Sequence, residues 1–483
     1  MRLQLLLLAM ISFAGFAITQ AQEETPQYIF AEPSSVSRQY PSIDQMSDGT
    51  LVLSFGTAGK GPTVDMKACI STDAGATWSQ PFAYATVNNA MLGLQRRPHV
   101  LVDRNGLYHA VFEDYRDGMM TRAYHSMSTN KGATWSKATV VVPNAVDASE
   151  DFIAAAVDST NSIIVTFLST SYSLNDMRTH VYLVRSSDNG TTWSAPKQVD
   201  HFVEGGSCEC CQQSVDVSAT GRIVVAFRAN INNRRDIHIA LSNNDGETFD
   251  APVLIQAEPW NIDGCPSQGP SVKIDNSNNV HVAWVDARDT RQVPVAYYAF
   301  LENGQLSTPI NVDLSSTLSS TATYPYISTS EDGEGVVIVW ESSKGVYEAT
   351  SRNRGQSFQP RLLDAMTVHN GNVSTVWKKN GQTQSVWQAN RDGHYDIRTS
   401  NAVTSSVSDH DAGDVKAWCT PDGTLHIMSE YNVISVDAVD IAGRTVNLEP
   451  ISASSTVFRI HVHGVLLVTI RTAIGSVRQM FLL

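Results

Sequence analysis

One octet of residues recurs along the chain and decides its fold. It reads Ser71-Thr72-Asp73-Ala74-Gly75-Ala76-Thr77-Trp78, and it returns at 128–135 (STNKGATW), 186–193 (SSDNGTTW), 242–249 (SNNDGETF) and 351–358 (SRNRGQSF). The starts are 56 to 58 residues apart, except for one gap of 109 in which residues 300–307 (FLENGQLS) form a degraded copy. The Asp or Asn caps a tight turn, the Gly takes a positive φ, and the aromatic residue packs the turn onto a sheet. The octet therefore predicts a repeated turn between antiparallel strands.

A second pattern with the same period accompanies the octets. Alternating, strand-like runs end in an aromatic residue at Phe55, Phe112, Phe167, Phe227, Trp284, Trp340 and Trp387. Several of these runs follow a further short strand, so each unit reads as four antiparallel strands with the octet between the third and the fourth. Units too small to bury their own faces stack radially. The sequence predicts an all-β, seven-bladed β-propeller over residues 28–411, with Tyr28–Phe30 as an outer strand of the last blade. The alternatives are six blades or an elongated array of β-sandwiches.

Composition and charge narrow the function classes. The 483 residues are 42% hydrophobic and 17% charged, which is enough apolar material for a packed core. The net charge of −14 repels phosphate backbones and argues against general nucleic-acid binding.

The first residues are typical of a secretory signal peptide. Arg2 is followed by the apolar run Leu3–Ile18 and by the small-x-small sequence Thr19-Gln20-Ala21. We therefore expect residues 1–21 to be removed and the protein to be secreted, to the extracellular space or the outer cell surface. We expect no transmembrane segment, because no later stretch is long and uncharged enough.

The octets resemble the Asp-box (BNR) repeats of the sialidase superfamily. This resemblance covers about four-fifths of the chain, although well-characterised sialidases have six blades. From Asp414 the period breaks, and residues 414–483 form the pattern of a small β-sandwich. The Asp440-Ile-Ala-Gly-Arg444 turn and the strand Gly464–Ile470 resemble the C-terminal sorting domain of the type IX secretion system of Bacteroidetes-like bacteria. That resemblance implies the secretion machinery as a partner, whereas an ordinary accessory β-domain is the alternative.

The strand order predicts which face carries the candidate site. The starts of the first strands, the ends of the second strands and the connections between blades converge opposite the octets, over the channel. Arginines there suit carboxylate, sulfate or phosphate groups, and the alternative is that each charge pairs with a neighbouring loop. The candidate ligand-binding residues are Arg96, Arg116, Arg228, Arg288 and Gln268, and the candidate catalytic residues are Glu113, Glu341 and Tyr324.

The sialidase resemblance implies three arginines that grip the substrate carboxylate, a Tyr nucleophile assisted by a Glu, and an Asp acid/base. The first of those arginines belongs to a Phe/Tyr-Arg-Ile-Pro motif in the first blade. This chain instead has Arg38-Gln39-Tyr40-Pro41 there and carries an Arg-x-Pro in the second blade, at Arg96-Arg97-Pro98. Hydrolysis by two carboxylates, Glu113 with Glu341, is a further hypothesis, and their separation would test it.

Four of the six cysteines occur in two neighbouring connections of the expected channel face. Cys208, Cys210 and Cys211 precede the fourth blade, and Cys265 precedes the fifth, so we expect them to lie close together. Two disulfides, a thiolate site for Cu(I) or Zn, or a reactive thiol are the open alternatives. Cys69 and Cys419 are interpreted as a buried thiol and a residue of the last domain.

Three functional hypotheses follow. The first is a secreted, sialidase-like propeller that engages an extracellular anionic ligand, a glycan before any other. The second is an exo-sialidase or other glycoside hydrolase, and the third is a surface protein that handles copper or zinc through its cysteines. No other cofactor is expected.

Overall fold

The computed structural model describes most of the chain in 20 ranges. These are 26–30, 35–46, 48–58, 63–88, 92–93, 95–115, 120–143, 149–170, 178–256, 258–288, 293–313, 321–365, 371–400, 415–419, 424–429, 433–440, 445–450, 457–460, 465–472 and 475–482. The predicted signal peptide lies outside these ranges. Among the described residues no helix is long and apolar enough to cross a membrane.

Seven antiparallel sheets form the blades of a β-propeller, as predicted. Strands are numbered along the chain, beginning with β1 at Gln27–Tyr28. Blade 1 contains β2–β5, at Ser37–Gln45, Leu51–Ala58, Thr63–Ser71 and Phe82–Asn88. Blade 2 contains β6–β9, at His99–Val102, Tyr108–Asp114, Arg122–Ser128 and Thr139–Val140. Blade 3 contains β10–β13, at Asp151–Val157, Ile163–Ser169, His180–Ser186 and Lys197–Gln198. Blade 4 contains β14–β17, at Ser214–Val217, Ile223–Arg228, Ile237–Ser242 and Val253–Leu254.

The remaining three blades complete the ring. Blade 5 contains β18–β22, at Ser271–Ile274, Val280–Asp286, Val295–Glu302, Gln305–Leu306 and Ile310–Asn311. Blade 6 contains β23–β26, at Thr323–Thr329, Val336–Ser342, Gly345–Ser351 and Gln359–Ala365. Blade 7 contains β27–β29, at Gly371–Trp377, Thr383–Arg391 and His394–Thr399, and its fourth strand is β1.

The ring is closed by its first strand. β1 pairs with β29, so Gln27 lies opposite Thr399 and Tyr28 opposite Arg398. The Tyr28 ring lies under two guanidinium groups, at 4.4 Å from Arg391 and 4.8 Å from Arg398. The predicted use of the segment at Tyr28 as an outer strand is thus confirmed.

The aromatic residues of the second strands form the centre of each blade. All seven predicted positions are at most 1% exposed: Phe55, Phe112, Phe167, Phe227, Trp284, Trp340 and Trp387. Full burial of one such side chain contributes roughly 2–3 kcal/mol. The period of these aromatics therefore reflects one buried aromatic residue at the equivalent position of each blade.

The octets form the turns after the third strands, as expected. In blade 1 the Ser71 hydroxyl accepts from Gly75 N at 2.7 Å, and Asp73 accepts from Thr77 N at 2.9 Å. The same two bonds recur in the other four octets. The glycines have the predicted positive φ, and so does each preceding residue, beginning with Ala74 at 58°.

Each octet glycine also lies against the previous blade, where a side chain would not fit. A Cβ on Gly190 would approach the His125 ring to 2.2 Å, and one on Gly355 would approach Tyr298 to 2.1 Å. The octet therefore serves both the turn and the packing between blades.

Residues 415–482 contain two further four-stranded sheets. Their strands are β30–β37, at Val415–Cys419, Thr424–Ser429, Val433–Asp440, Thr445–Val446, Leu448–Pro450, Val457–Ile460, Val465–Thr472 and Gly475–Leu482. Both sheets contribute to one buried cluster, in which Leu425 and Phe458 come from one sheet and Ala438 and Val468 from the other. The role of this segment in sorting stays a prediction.

Candidate functional site

The strand register identifies the face that carries the candidate site. Thr323 at the start of β23 lies opposite Glu341 at the end of β24, and Gly371 lies opposite Gln388 in blade 7. We call this side, which holds the starts of the first strands, the top face. The octets follow the third strands and therefore lie on the opposite face.

Four blades share a backbone distortion at the top of their first strands. Tyr40, Phe152, Tyr324 and Asn372 have φ between 49° and 56°, and the pairing register shifts at each of them. A non-glycine residue in this conformation costs of order 1 kcal/mol or more. Because such strain persists where the surroundings enforce it, the four bulges mark the top face as a candidate functional surface.

The predicted residues Arg96 and Glu113 form an ion pair at the top of blade 2, next to blade 3. The Arg96 guanidinium bonds to Glu113 and, at 3.1 Å, to Asp151, and it stacks 3.9 Å from the Phe152 ring centroid. The other Glu113 oxygen accepts from Ile153 N at 2.7 Å. Burial raises the pKa of Glu113 to about 7, although Arg96 opposes the shift. Glu113 therefore connects blade 2 to the first strand of blade 3.

Glu341 occupies the equivalent position of blade 6. Its carboxylate accepts from Asn372 N of blade 7, and burial raises its pKa to about 7. Burial, followed by the charge of Glu341, also raises the pKa of Tyr324. Two of the three predicted catalytic residues, Tyr324 and Glu341, therefore lie on the paired strands β23 and β24 of blade 6. Glu113 belongs to blade 2 and is separated from blade 6 by blades 7 and 1.

Arg97, next to Arg96, lines the axial channel instead. Its Nη1 donates to Val373 O across the ring at 2.5 Å, and its guanidinium carbon lies 5.2 Å from the Tyr326 ring centroid. Burial lowers its pKa, whereas the charges of Tyr326 and Glu341 oppose that change. Arg97 thus faces the same region as Glu341 and Tyr324.

The axial channel below Arg97 contains further ionisable groups. Asp44, His99, Asp216 and Lys273 line a cavity of about 360 Å³ together with Arg97. Lys273 Nζ lies 3.6 Å from Asp216, which raises the pKa of the lysine. Burial raises the pKa of Asp44 to about 6 and lowers that of His99 to about 4. The channel therefore holds both signs of charge.

Two other predicted arginines use their hydrogen bonds within the protein. Arg228 is 1% exposed and donates to the carbonyls of Gln268, Arg235 and Val285 at 2.6–2.9 Å. Burial lowers its pKa to about 10. Arg288 pairs with Asp286 of its own blade. Both bond to protein groups here, and their ligand-binding role stays a prediction.

The last two candidates are Gln268 and Arg116. Gln268 joins blades 5 and 6, because its side-chain oxygen accepts from Tyr324 N at 3.3 Å. Arg116 lies outside the described residues.

The four cysteines lie together, as predicted. Cys208 is joined to Cys211 and Cys210 to Cys265 by disulfide bonds, with Cα separations of 5.5 and 6.5 Å. The four sulfur atoms all lie within 4.8 Å of one another. Gln95 connects this cluster to blade 2, because it donates to Cys210 O and accepts from Gln212 N, both at 3.0 Å.

Sequence reasoning missed several residues of this face. The sequence analysis names neither Asp151 nor Asn372 as a candidate, although both lie at the start of a first strand. It selects Arg96 for ligand binding and does not select the adjacent Arg97. Their position in the repeat could have identified them, because Arg97, Tyr324 and Asn372 occupy equivalent places in their blades.

Residues 11–338 match the BNR repeat-like domain family, which is more than half of the chain. The chain belongs to this family. The match confirms the predicted BNR repeats, and no curated protein matches the chain.

Several solved structures are similar to this BNR-repeat propeller. A Dyadobacter fermentans protein of unknown function is 16% identical with a TM-score of 0.46, over 78% of this chain and 97% of that one. A polysaccharide lyase, the ulvan lyase PL25, is 11% identical with a TM-score of 0.49, over 75% and 93%. The Hadza microbial sialidase Hz136 is 15% identical with a TM-score of 0.42, over 68% and 66%. At TM-scores below 0.5 these similarities carry no argument about ligand or activity.

Proposed function

We propose that this BNR-repeat protein binds an acidic saccharide at the top of its axial channel. The observation that carries the proposal is the position of Arg97. Among the described residues its side chain has one hydrogen-bond acceptor, Val373 O, whereas Arg96 pairs with two carboxylates. Further guanidinium N–H groups of Arg97 can therefore bond to a carboxylate or sulfate group of a ligand.

Other groups of the channel and of the top face support a saccharide over a simple anion. Tyr324 lines the same cavity as Arg97, and the charge of Glu341 acts on the arginine, so a hydroxyl and a carboxyl group are available to match sugar hydroxyls as donors and acceptors. Phe202 lies in the connection from blade 3 to blade 4, on the top face, and is 57% exposed. An exposed aromatic ring offers the apolar surface on which the C–H face of a sugar packs.

A titration of the full chain tests this proposal. Calorimetry is performed with sialyllactose, with an oligosaccharide containing a uronate or sulfate group, and with neutral lactose. We expect Arg97→Ala to weaken binding of the acidic ligand at least tenfold and Arg97→Lys to weaken it less. Lys131→Ala removes the same charge from the exposed octet of blade 2 and should have no effect. Equal affinity for acidic and neutral sugars, or a folded Arg97→Ala protein with unchanged affinity, overturns the proposal.

Glycoside hydrolysis is the second candidate, favoured by the position of Tyr324 and Glu341 on the paired strands β23 and β24. If ionised Glu341 assists Tyr324 as a base, kcat rises through about pH 7. Tyr324→Phe should then abolish sugar release while saccharide binding persists. Absence of released sugar from every acidic oligosaccharide that binds rejects this candidate and leaves binding alone.

We also propose export to the extracellular space or the cell surface. The sequence features of residues 1–21 and 414–483 support a signal peptide and a type IX sorting domain. N-terminal sequencing of the protein from a type IX-competent host should begin at Gln22. Removal of residues 414–483 should leave the protein inside the outer membrane, and unchanged release contradicts the sorting role.

A further inference from the structure

The cysteine cluster has a geometry that its disulfide bonds do not require. Two independent disulfides need only two close pairs of sulfur atoms. Here all four sulfur atoms lie within 4.8 Å of one another, and Cys208 Sγ lies 3.7 Å from Cys210 Sγ, which belongs to the other disulfide. A tetrahedral ion with Zn–S bonds of about 2.3 Å requires sulfur atoms about 3.8 Å apart.

The two loops that supply the cysteines are held in place by other contacts. Cys211 N donates to Cys208 O at 3.3 Å, so the first loop turns tightly and directs three cysteines to one point. Arg228 bonds to both loops, because its carbonyl accepts from Cys208 N and its Nε donates to Gln268 O. The arrangement therefore does not depend on the disulfides alone.

Charge and access also fit a cation bound by thiolates. The buried guanidinium of Arg228 bonds to three carbonyl groups and to no carboxylate among the described residues. A tetrathiolate site with a divalent ion carries a charge of −2, and Arg228, whose carbonyl accepts from Cys208 N, supplies a cation beside these loops on which Asp286 and Asp236 also act. The Ser267 hydroxyl lies 3.5 Å from Cys265 Sγ and can donate to it as an outer-shell bond. Cys208 and Cys211 are buried whereas Cys265 is exposed, so an ion can enter from the Cys265 side.

We propose that Cys208, Cys210, Cys211 and Cys265, in their thiol form, bind one thiophilic d10 cation, Zn²⁺ or Cu⁺. Binding of Zn²⁺ by four thiols releases four protons and forms a tetrathiolate of charge −2. Each disulfide must first accept two electrons and two protons from a thiol or phosphine reductant. The site shares no residue with the proposed saccharide site at Arg97, and it organises the loops between blades 3, 4 and 5.

The test uses the full chain, reduced and freed of metal. After addition of Zn²⁺ and desalting, we expect one zinc per chain, and in a parallel sample Cu⁺ should compete for the same site. Co²⁺ should give the intense visible absorption of a tetrahedral site together with a sulfur-to-cobalt charge-transfer band. Cys210→Ser and Cys265→Ser should each weaken Zn²⁺ binding at least tenfold. Cys69→Ser changes a buried free thiol in blade 1 and should leave binding unchanged.

The zinc content and the fold of the reduced chain are measured together. A reduced chain with native circular dichroism that retains less than 0.2 zinc per chain overturns it, as does a Cys69→Ser variant that loses as much zinc as Cys210→Ser. If the reduced, metal-free chain unfolds, Zn²⁺ must restore the native spectrum, and failure to do so also overturns the proposal. Saccharide binding through Arg97 is measured separately, so the two proposals fail independently.

Discussion

Replacement of Glu113 by Ala tests whether this carboxylate holds two blades together. The change removes the acceptor of Ile153 N–H and one of the two carboxylates that bond Arg96. Loss of one partner from a buried ion pair costs about 3–5 kcal/mol. Because Asp151 still pairs with Arg96, we expect a cost near the lower limit, about 3 kcal/mol. Glu113→Gln keeps an oxygen for Ile153 N–H and should cost about 1 kcal/mol.

The expected change in melting temperature follows from the size of the propeller. The ring extends from Gln27 to Thr399, roughly 370 residues, and an unfolding entropy of about 2.1 cal/mol/K per residue gives about 0.8 kcal/mol/K. Glu113→Ala should therefore lower the melting temperature by about 4 °C in scanning calorimetry, and Glu113→Gln by about 1 °C.

A surface ion pair provides the control for this prediction. Glu247 pairs with Lys197 at 2.8 Å, but the two side chains are 62% and 37% exposed. Glu247→Ala should change the melting temperature by less than about 1 °C, because exposed pairs contribute little. A Glu113→Ala protein that melts within 1 °C of the parent, or a Glu247→Ala protein that melts as early, refutes the structural role of Glu113.

Three further perturbations test the packing between blades. Gly190→Ala should cost about 2–3 kcal/mol in thermal unfolding, because the φ of residue 190 is 79° and the added Cβ would collide with the His125 ring. Gly221→Ala is the control and should cost about 1 kcal/mol, because the φ of residue 221 is also positive, at 86°, but no atom lies within 4 Å of the added Cβ. Burial lowers the pKa of His125 to about 3, so its stabilising contribution is complete above pH 6.5 and falls as the pH decreases towards 3. Relative to His125→Gln, the parent should lose about 3 kcal/mol between pH 7 and pH 4.5, and parallel pH profiles would contradict this. Tyr28→Ala should cost about 2 kcal/mol by removing the aromatic surface beneath two arginines, and an unchanged melting temperature would show that β1 closes the ring without it.

The sequence predicts the fold more fully than the site, and the reason is physical. Each octet needs Gly at a positive φ and a hydroxyl that accepts from it, so the same letters recur wherever the same turn does. The buried aromatics recur for a similar reason, because each blade has one central core position. Local constraints of this kind are visible in a single chain.

The pairing of charged side chains on the top face has no such local signal. Arg96 and Arg97 are adjacent and both precede β6, yet Arg96 pairs with Glu113 and Arg97 lines the channel. Arg228 reads as an exposed end of a strand, but it is buried, and its acceptors come from three places: Gln268 O in the connection between blades 4 and 5, Arg235 O in blade 4 and Val285 O in blade 5. Such partners come from distant parts of the chain, and only the closed ring brings them together.

Because β1 pairs with β29, the last blade can be completed only after both ends of the propeller sequence have been synthesised. Gln27 is synthesised roughly 370 residues before its partner Thr399, an interval of about 20–70 s at 5–20 residues per second. During that interval the β1 segment of the ribosome-bound chain has no native neighbour. The blades already synthesised lack the seventh blade, which completes the ring. Ring closure therefore depends on contacts of very long sequence separation, which fold slowly. A cell that makes this protein must keep the early strands from pairing with other chains until synthesis has passed residue 399.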